Sequence, residues 1–485
     1  MTLILKSGTI KVKHFLAFIF KFKNKKLMYN DSFFRSFYSF MNRYNARYLL
    51  IAYTLIALLG AVLLILPPMH KNTIDFIDAF FMASSAVSVT GLIVKNTGAD
   101  FTFFGQLVLI SIIQIGGFGY MSVTSFVYLL LRKKIDYKNR QLIKDNLSLP
   151  TMQGTIGFIK KMFILVLLIE AVGALLLTMR FMLEYPFLEA LWLGIFHSIS
   201  AFNNAGFSVF ESGLMAYRDD LAINLIITTL IIAGGLGYLV LLECYYRLKR
   251  KNVKLSTHTK IVLLTTAFLI ITAFLSVFLL EYKNPKSIGE FSLWQKILSS
   301  YFAAVNYRTS GFNTLDLSLF QDASLFFGSI FMVIGGAPGG TAGGIKVTTF
   351  AILFIYTFSI LRNSKEAIVF HRTIAQDTIN RAFVIVALSS VYISVCVMIL
   401  SLFENGGSRG FLALLFEVCS AFGTVGLSMG DGGILSLSAN FDSMGKFIII
   451  LLMLSGKVGV LAFALSIVVA KKKTRIAYPE TKILI

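Results

Sequence analysis

Four glycines frame this chain of 485 residues. Gly91, Gly206, Gly311 and Gly426 sit in Ser88-Val89-Thr90-Gly91-Leu92, Asn203-Asn204-Ala205-Gly206-Phe207, Arg308-Thr309-Ser310-Gly311-Phe312 and Gly423-Thr424-Val425-Gly426-Leu427. Each glycine follows small, hydroxyl-bearing or amide residues and precedes a bulky apolar one. Successive glycines lie 115, 105 and 115 residues apart. Such near-equal spacing marks an internal repeat, and a repeat fixes architecture before any other detail.

What surrounds the glycines gives the repeat its solvent. The chain is 56% hydrophobic and 14% charged, against roughly 25% charged in soluble domains. Eight segments carry about 20 apolar residues, enough for a bilayer crossing: Tyr48–Leu66, Phe101–Leu131, Met162–Met179, Leu221–Leu242, Ile261–Leu280, Ala323–Leu361, Ala382–Phe403 and Phe447–Ala470. Four shorter apolar runs precede the glycines: Phe76–Val87, Phe187–Ala201, Leu293–Ala304 and Phe411–Ala421. They are too short to span and predict re-entrant or core helices. The expected unit is long helix, short helix, glycine loop, long helix, four times over. It gives an all-α membrane protein of eight transmembrane helices and four re-entrant pore helices. Residues 48–132, 133–248, 249–362 and 363–485 would be the repeats, the last with a short tail, behind a basic N-terminal tail of residues 1–47.

The net charge of +21 is distributed in a way that argues against nucleic acid. Basic residues cluster in Arg132–Lys161, Arg247–Lys260, Arg362–Arg381, Lys471–Arg475 and the N-terminal tail, whose apolar patch Phe15–Phe20 suits contact with membrane lipid. The loops flanking the short helices carry Asp75, Asp78, Asp100, Glu211, Asp219, Asp220, Asp316, Asp322, Asp431 and Asp442. Basic loops stay in the cytoplasm, so both termini are expected inside a plasma membrane and the glycine loops outward. Acids there would concentrate cations. Cys244, Cys396 and Cys419 have no paired spacing, and His197, His258 and His371 are scattered. Neither a disulfide framework nor a catalytic set is indicated, so no enzyme and no cofactor are expected.

A loop at membrane depth is tolerated only where it is buried in protein or lines water. Four such loops on one axis could replace the hydration shell of a monovalent cation with carbonyl oxygens, under the negative ends of the four short helices. The expected filter is Val89, Thr90 and Gly91, Asn204, Ala205 and Gly206, Thr309, Ser310 and Gly311, and Thr424, Val425 and Gly426. Of these copies the fourth is the most regular, and the degeneracy of the others predicts looser coordination.

These motifs resemble the membrane subunit of the bacterial Ktr/Trk potassium-uptake systems, related to plant HKT transporters. The resemblance runs from about Tyr48 to the C-terminus. The absence of an extra N-terminal pair of spans and the ending Tyr478-Pro479-Glu480-Thr481 make it most Ktr-like. It implies four M1–P–M2 units in one chain, a channel-like potassium path, a homodimer and a cytoplasmic nucleotide-binding ring of the RCK type. Glycine at all four signature positions goes with potassium in this family, and serine at the first with sodium in some plant relatives. Sodium permeation or sodium coupling is the alternative.

A second tier of glycines lies in the later helix of each unit. Gly116-Gly117-Phe118-Gly119 and Gly234-Gly235-Leu236-Gly237 read as close helix packing within unbroken apolar runs. The glycine-rich stretch Gly335–Gly344 with Pro338 must break its span. It is no phosphate loop, because Ile345 stands where lysine is needed. By resemblance it is an intramembrane gate made of Gly335, Gly336, Gly339, Gly340, Thr341, Gly343, Gly344 and Lys346. Lys457, mid-span in the last helix, needs a cavity or a partner and is expected at the gate. Glu170 is expected to find a backbone or basic partner, Glu417 to brace the fourth loop, and Arg308 to hold the third from its periphery.

Overall fold

The computed structural model describes residues 45–119, 155–249, 254–364, 366–404, 410–430, 432 and 434–467. Residues Leu50–Phe463 form one compact unit. The other unit, Met1–Leu49 with Ala464–Ile485, is described only at residues 45–49 and 464–467. The basic N-terminal tail, the end Lys471–Arg475, most of Arg132–Lys161 and Asp431 lie outside the described residues.

The described chain is almost wholly helical. Its helices are α1 Asn45–Leu64, α2 Phe76–Ser88, α3 Phe103–Phe118, α4 Thr155–Phe181, α5 Phe187–Phe202, α6 Leu221–Gly235, α7 Tyr238–Lys249, α8 Thr257–Glu281, α9 Leu293–Asn306, α10 Asp322–Val333, α11 Val347–Leu361, α12 Gln376–Phe403, α13 Phe411–Gly423, α14 Ser443–Val458 and α15 Val460–Ile467. A two-residue hairpin, β1 Ile368–Val369 with β2 Arg372–Thr373, is the only sheet among the described residues. The four short apolar runs all become helices: α2, α5, α9 and α13. Helix α9 starts at a capping box, Ser292 with Gln295, and α5 after Pro186, both sound start signals.

Burial separates two classes of helix. The short helices are enclosed: every residue of α2 from Asp78 to Ser88 is buried, as is every residue of α13 from Phe416 to Gly423. The long ones are not. Helix α4 exposes Ile164, Leu167, Leu168, Val172, Leu175, Leu176 and Met179, and α12 exposes Val391, Val395, Met398 and Leu402. Apolar surface on this scale suits hydrocarbon and not water. Among the described residues three helices, Gly157–Phe181, Thr257–Glu281 and Gln376–Phe403, are long and apolar enough to cross a membrane. A fourth span arises if α6 and α7 count as one.

The first predicted span is one continuous helix, α1, while the other remaining ones are interrupted within the described residues, mostly at glycine. Helices α6 and α7 meet at a bend of 110°, with Gly237 at φ +85°, a conformation that costs other residues dearly. Helix α3 ends at Phe118 before Gly119, and α14 ends at Val458 before Gly459, both also at positive φ. The expectation that the first two glycine clusters lie in unbroken helices is therefore corrected. A long apolar run hides a break, because apolarity reports the solvent and not the backbone. The packing half of that expectation holds. A Cβ on Gly116, Gly234 or Gly456 would collide with the carbonyl oxygen of Val87, Phe202 or Phe422 respectively, so these glycines let the later helix sit against the last turns of a short one.

The helices associate in a cycle. Helix α3 packs on α5, α6 on α9, α10 on α13, and α14 back on α2. The last helix thus closes on the first short one.

Candidate functional site: a ring of four loops

Within three residues after each short helix comes a residue of left-handed backbone, and two places beyond it a glycine. The left-handed residues are Val89 (φ +58°), Asn204 (+59°), Thr309 (+64°) and Thr424 (+53°). The glycines follow at +96°, +69°, +73° and +89° for Gly91, Gly206, Gly311 and Gly426. Left-handed backbone is rare for any residue other than glycine and a true outlier for a β-branched one, yet three of these four are Val or Thr. Backbone bonds impose the conformation. The amides of Thr90, Ala205 and Val425 donate to Ser85, Ser200 and Ser420 carbonyls at 2.9, 2.8 and 2.8 Å.

The serines at those positions act twice. Ser85 Oγ accepts from the Gly91 amide at 3.0 Å and Ser420 Oγ from Gly426 at 3.1 Å, while Ser200 Oγ donates to the Phe207 carbonyl at 2.8 Å. The third loop is built differently. Asn306 accepts a hydroxyl hydrogen bond from Ser310 and donates to the Phe312 carbonyl at 2.7 Å. A serine six places before glycine in three copies was a readable signal that the glycine motif overshadowed.

The four loops meet. A Cβ placed on Gly91 would lie 2.5 Å from the Ala205 carbonyl oxygen, one on Gly206 2.6 Å from that of Ser310, and one on Gly311 2.7 Å from that of Val425. One on Gly426 would strike the carbonyl oxygen of Thr90. Each glycine leans on the carbonyl of the next loop, and the fourth returns to the first. All four glycines line one cavity, which also takes in Asn96, Ser208, Glu211, Ser428 and Ser436. The carbonyl oxygens of Thr90, Ala205, Ser310 and Val425 thus each abut a glycine of another loop, and carbonyls gathered about one axis are groups that can replace a cation's water.

The chain matches the TrkH family, described as cation transport proteins, across residues 16–476. The chain belongs to this family. Among its relatives are the Ktr system potassium uptake protein B of Bacillus subtilis (strain 168), 39% identical with 90% of this chain and 95% of the relative covered, and that of Vibrio alginolyticus, 33% identical over 90% and 94%. The potassium/sodium uptake protein NtpJ of Enterococcus hirae is 34% identical over 89% and 95%. In fold the chain is similar to the crystal structure of the potassium transporter TrkH from Vibrio parahaemolyticus. The TM-score is 0.70 at 18% identity, covering 86% of this chain and 83% of that one.

Beneath the ring lies the loop between α10 and α11. Its ends zip together, Gly335 amide to Ile345 carbonyl at 2.9 Å and Ile345 amide to Val333 carbonyl at 3.0 Å. The Ala337 amide donates to Gly235 at 2.9 Å, the Tyr238 amide to Gly339 at 3.0 Å, and the Gly344 amide to Gly456 at 3.2 Å. Gly336 packs against Gly235 with no room for a side chain, and Gly340 lies close on Gly234 and Gly237. So the broken ends of the second and fourth units' helices hold the loop. At its tip, Thr341 Oγ1 donates to Asn204 Oδ1 at 3.1 Å and the Gly343 amide to Thr424 Oγ1 at 2.9 Å. Asn204 and Thr424 belong to loops two and four, which are not neighbours in the cycle. A tip that touches both lies across the axis.

Two ammonium groups tie down the same tip. Lys457 Nζ donates to the Thr341 carbonyl, and Lys346 Nζ to the Ala342 carbonyl at 2.7 Å. Arg308 is buried and faces away from the ring, donating to the Thr266 carbonyl on α8 at 3.3 Å and to Gly335 at 3.4 Å. It thus links the third loop to the root of the tip as well as to the periphery. Glu417 accepts from the Ser438 amide at 3.0 Å and from the hydroxyls of Ser438 and Ser428, bracing the chain beyond the fourth loop. The partner of Glu170 differs from expectation. It accepts from Gln114 Nε2 at 2.8 Å and Asn203 Nδ2 at 3.0 Å, side-chain amides in place of a backbone or basic donor. Paired carboxamides are invisible to a search for countercharges.

Proposed function

We propose that this chain is the potassium-conducting membrane subunit of a Ktr-type uptake system, with the ring of loops as its selectivity filter and the Gly335–Lys346 loop as its intramembrane gate. The observation that carries the proposal is the closed cycle in which each signature glycine abuts the carbonyl of the next loop. Filter ligands are the carbonyls of Val89, Thr90 and Gly91, Asn204, Ala205 and Gly206, Thr309, Ser310 and Gly311, and Thr424, Val425 and Gly426. The short helices α2, α5, α9 and α13 point their C-terminal ends, and hence partial negative charge, at the conducted ion. Transport needs no catalytic group and no cofactor in this account, and potassium is cargo.

The wider reading follows from the same parts. Four M1–P–M2 units with eight crossings, the later ones broken at glycine, account for the order of helices and the cycle of contacts. The glycine-bearing, acid-rich loops face outward and both termini face the cytoplasm, which the charge asymmetry supports. Two copies of the chain and a cytoplasmic nucleotide-binding ring of the RCK type complete the system. The Bacillus and Vibrio relatives, named as proteins of a Ktr system, favour this. Sodium permeation or sodium coupling is the second reading, favoured by the name of the Enterococcus relative and by the unequal middle positions Thr90, Ala205, Ser310 and Val425. Purified protein in liposomes, assayed for rubidium against sodium tracer uptake, separates the two. Rubidium preference supports potassium conduction, and equal or greater sodium uptake supports the alternative.

A further inference from the structure

The connector between α11 and α12 holds the one sheet among the described residues, and it exposes apolar and basic side chains together. We infer that this hairpin is a binding site for anionic phospholipid of the cytoplasmic leaflet. Ile368 and Phe370 enter the bilayer boundary, and Lys260, Arg362 and Arg372 take the headgroup phosphate. The inference rests on the membrane orientation proposed above and goes beyond it by assigning the hairpin a ligand.

Position comes first. Helix α11 ends at Leu361 and α12 begins at Gln376, so the hairpin is tethered at both ends and stays at the membrane surface. Phe358, Ile360 and Leu361 at the end of α11 are exposed, as are Phe383 and Val384 near the start of α12. Apolar surface of that kind brings hydrocarbon up to the connector. Strand β1 lies against α11, and α11 against α8. The hairpin thus reaches the first turn of α8, where Lys260 Nζ stands 5.3 Å from the centre of the Phe370 ring.

The tip is built against local preference. Ile368 pairs with Thr373 and Val369 with Arg372, which leaves Phe370 and His371 as a two-residue turn. Both are left-handed, at φ +47° and +60°. Such turns select Asn-Gly or Asp-Gly, and an aromatic residue there is strained. Burial does not explain the aromatic, since Phe370 is 41% and Ile368 57% exposed. Apolar side chains set among basic ones at a membrane surface are what an interfacial anchor presents.

Charge selects the lipid. Lys260, Arg362 and Arg372 are exposed, and among the described residues none of them has a carboxylate within ion-pair range. Glu366, beside the hairpin, accepts from Thr373 Oγ1 at 3.0 Å. Cations without a protein countercharge at a bilayer surface complement a phosphate headgroup, and an arginine can hold two of its oxygens at once. Anionic lipid meets the apolar and the basic demand where the chain already lies.

The test is hydrogen–deuterium exchange of the full chain in lipid nanodiscs, reading peptides that cover residues 366–376. Discs of phosphatidylcholine alone are compared with discs that also hold phosphatidylglycerol. The wild-type hairpin should be protected in the anionic discs. Lys260→Gln and Arg372→Gln should each lower that protection about fivefold, the attraction one basic residue gains from an anionic surface. Phe370→Asn with His371→Gly supplies the residues the turn prefers, so a merely structural tip would be protected at least as well as in the wild type. Loss of lipid-dependent protection in that variant supports the site, and its retention contradicts it. Equal wild-type protection in both kinds of disc overturns the proposal. So does protection that free glycerol phosphate reproduces in phosphatidylcholine discs, or that arises only on adding a regulatory protein. Sidedness is read separately in intact cells, where Thr373→Cys should react with an impermeant maleimide, above the background of the unsubstituted chain, only after permeabilisation. Labelling without permeabilisation would sink the orientation and this inference with it. Labelling only after it, with no lipid dependence, would keep the orientation and overturn the lipid site alone.

Discussion

Val89, Thr309 and Thr424 hold left-handed backbone that would cost each roughly 1–3 kcal/mol in isolation. They tolerate it because the last turn of each short helix and the neighbouring loop over-determine it. The following glycines have no such latitude. Gly91→Ser places a side chain at φ +96° against the Ala205 carbonyl, pushing that carbonyl from the ring. We expect the rubidium-to-sodium flux ratio to fall about tenfold, equivalent to ~1.4 kcal/mol of discrimination, with the protein still folded by circular dichroism. Glu417 is the buried brace of the fourth loop. Glu417→Ala leaves the Ser428 and Ser438 donors unpaired and should lower stability by about 3 kcal/mol, read as a lower unfolding midpoint in detergent, with Glu417→Gln losing less. At this scale the glycines were legible, because glycine is the residue that positive φ selects. Val89 was not, since valine ordinarily signals extended or helical backbone and its conformation is forced from outside. The Gln114–Glu170–Asn203 cluster was equally hidden, being joined by amides spread over two helices and the cap of a third.

At the scale of elements, the short helices were readable almost to the residue, because a short apolar run flanked by polar turns has few other fates. Breaks were readable only where proline and many glycines coincide, in Gly335–Gly344. The bend at Leu236–Gly237 escaped because its neighbours stay apolar, and the loop that fills that bend, Gly335–Gly344, comes from far along the chain. The loop is held by its glycine contacts and by Lys457 and Lys346. Lys457→Ala removes one ammonium from the Thr341 carbonyl and should raise rubidium leak several-fold while leaving the flux ratio unchanged. Unaltered flux and activation would reduce Lys457 to a structural role. Deleting part of the tip, Pro338 included, should likewise raise flux at constant selectivity, since the ring above it is untouched.

At the scale of the molecule, the cycle α3 on α5, α6 on α9, α10 on α13 and α14 on α2 brings four loops of one chain together, with the freedom to vary each quarter. The third quarter has used that freedom most, with Asn306 in place of the serine pattern and the long loop after α10. The ring was foreseeable from four spaced glycines, but its order and closure were not, because contacts between loops 105 or more residues apart leave no local trace. The central claim is that these four glycines form one potassium-selective ring. It is tested most directly by rubidium and sodium tracer uptake into liposomes containing the wild-type chain and, separately, alanine substitutions of Gly91, Gly206, Gly311 and Gly426. The account predicts rubidium preference in the wild type and its loss in all four variants. A wild-type preference unchanged by any one of the four substitutions would contradict it.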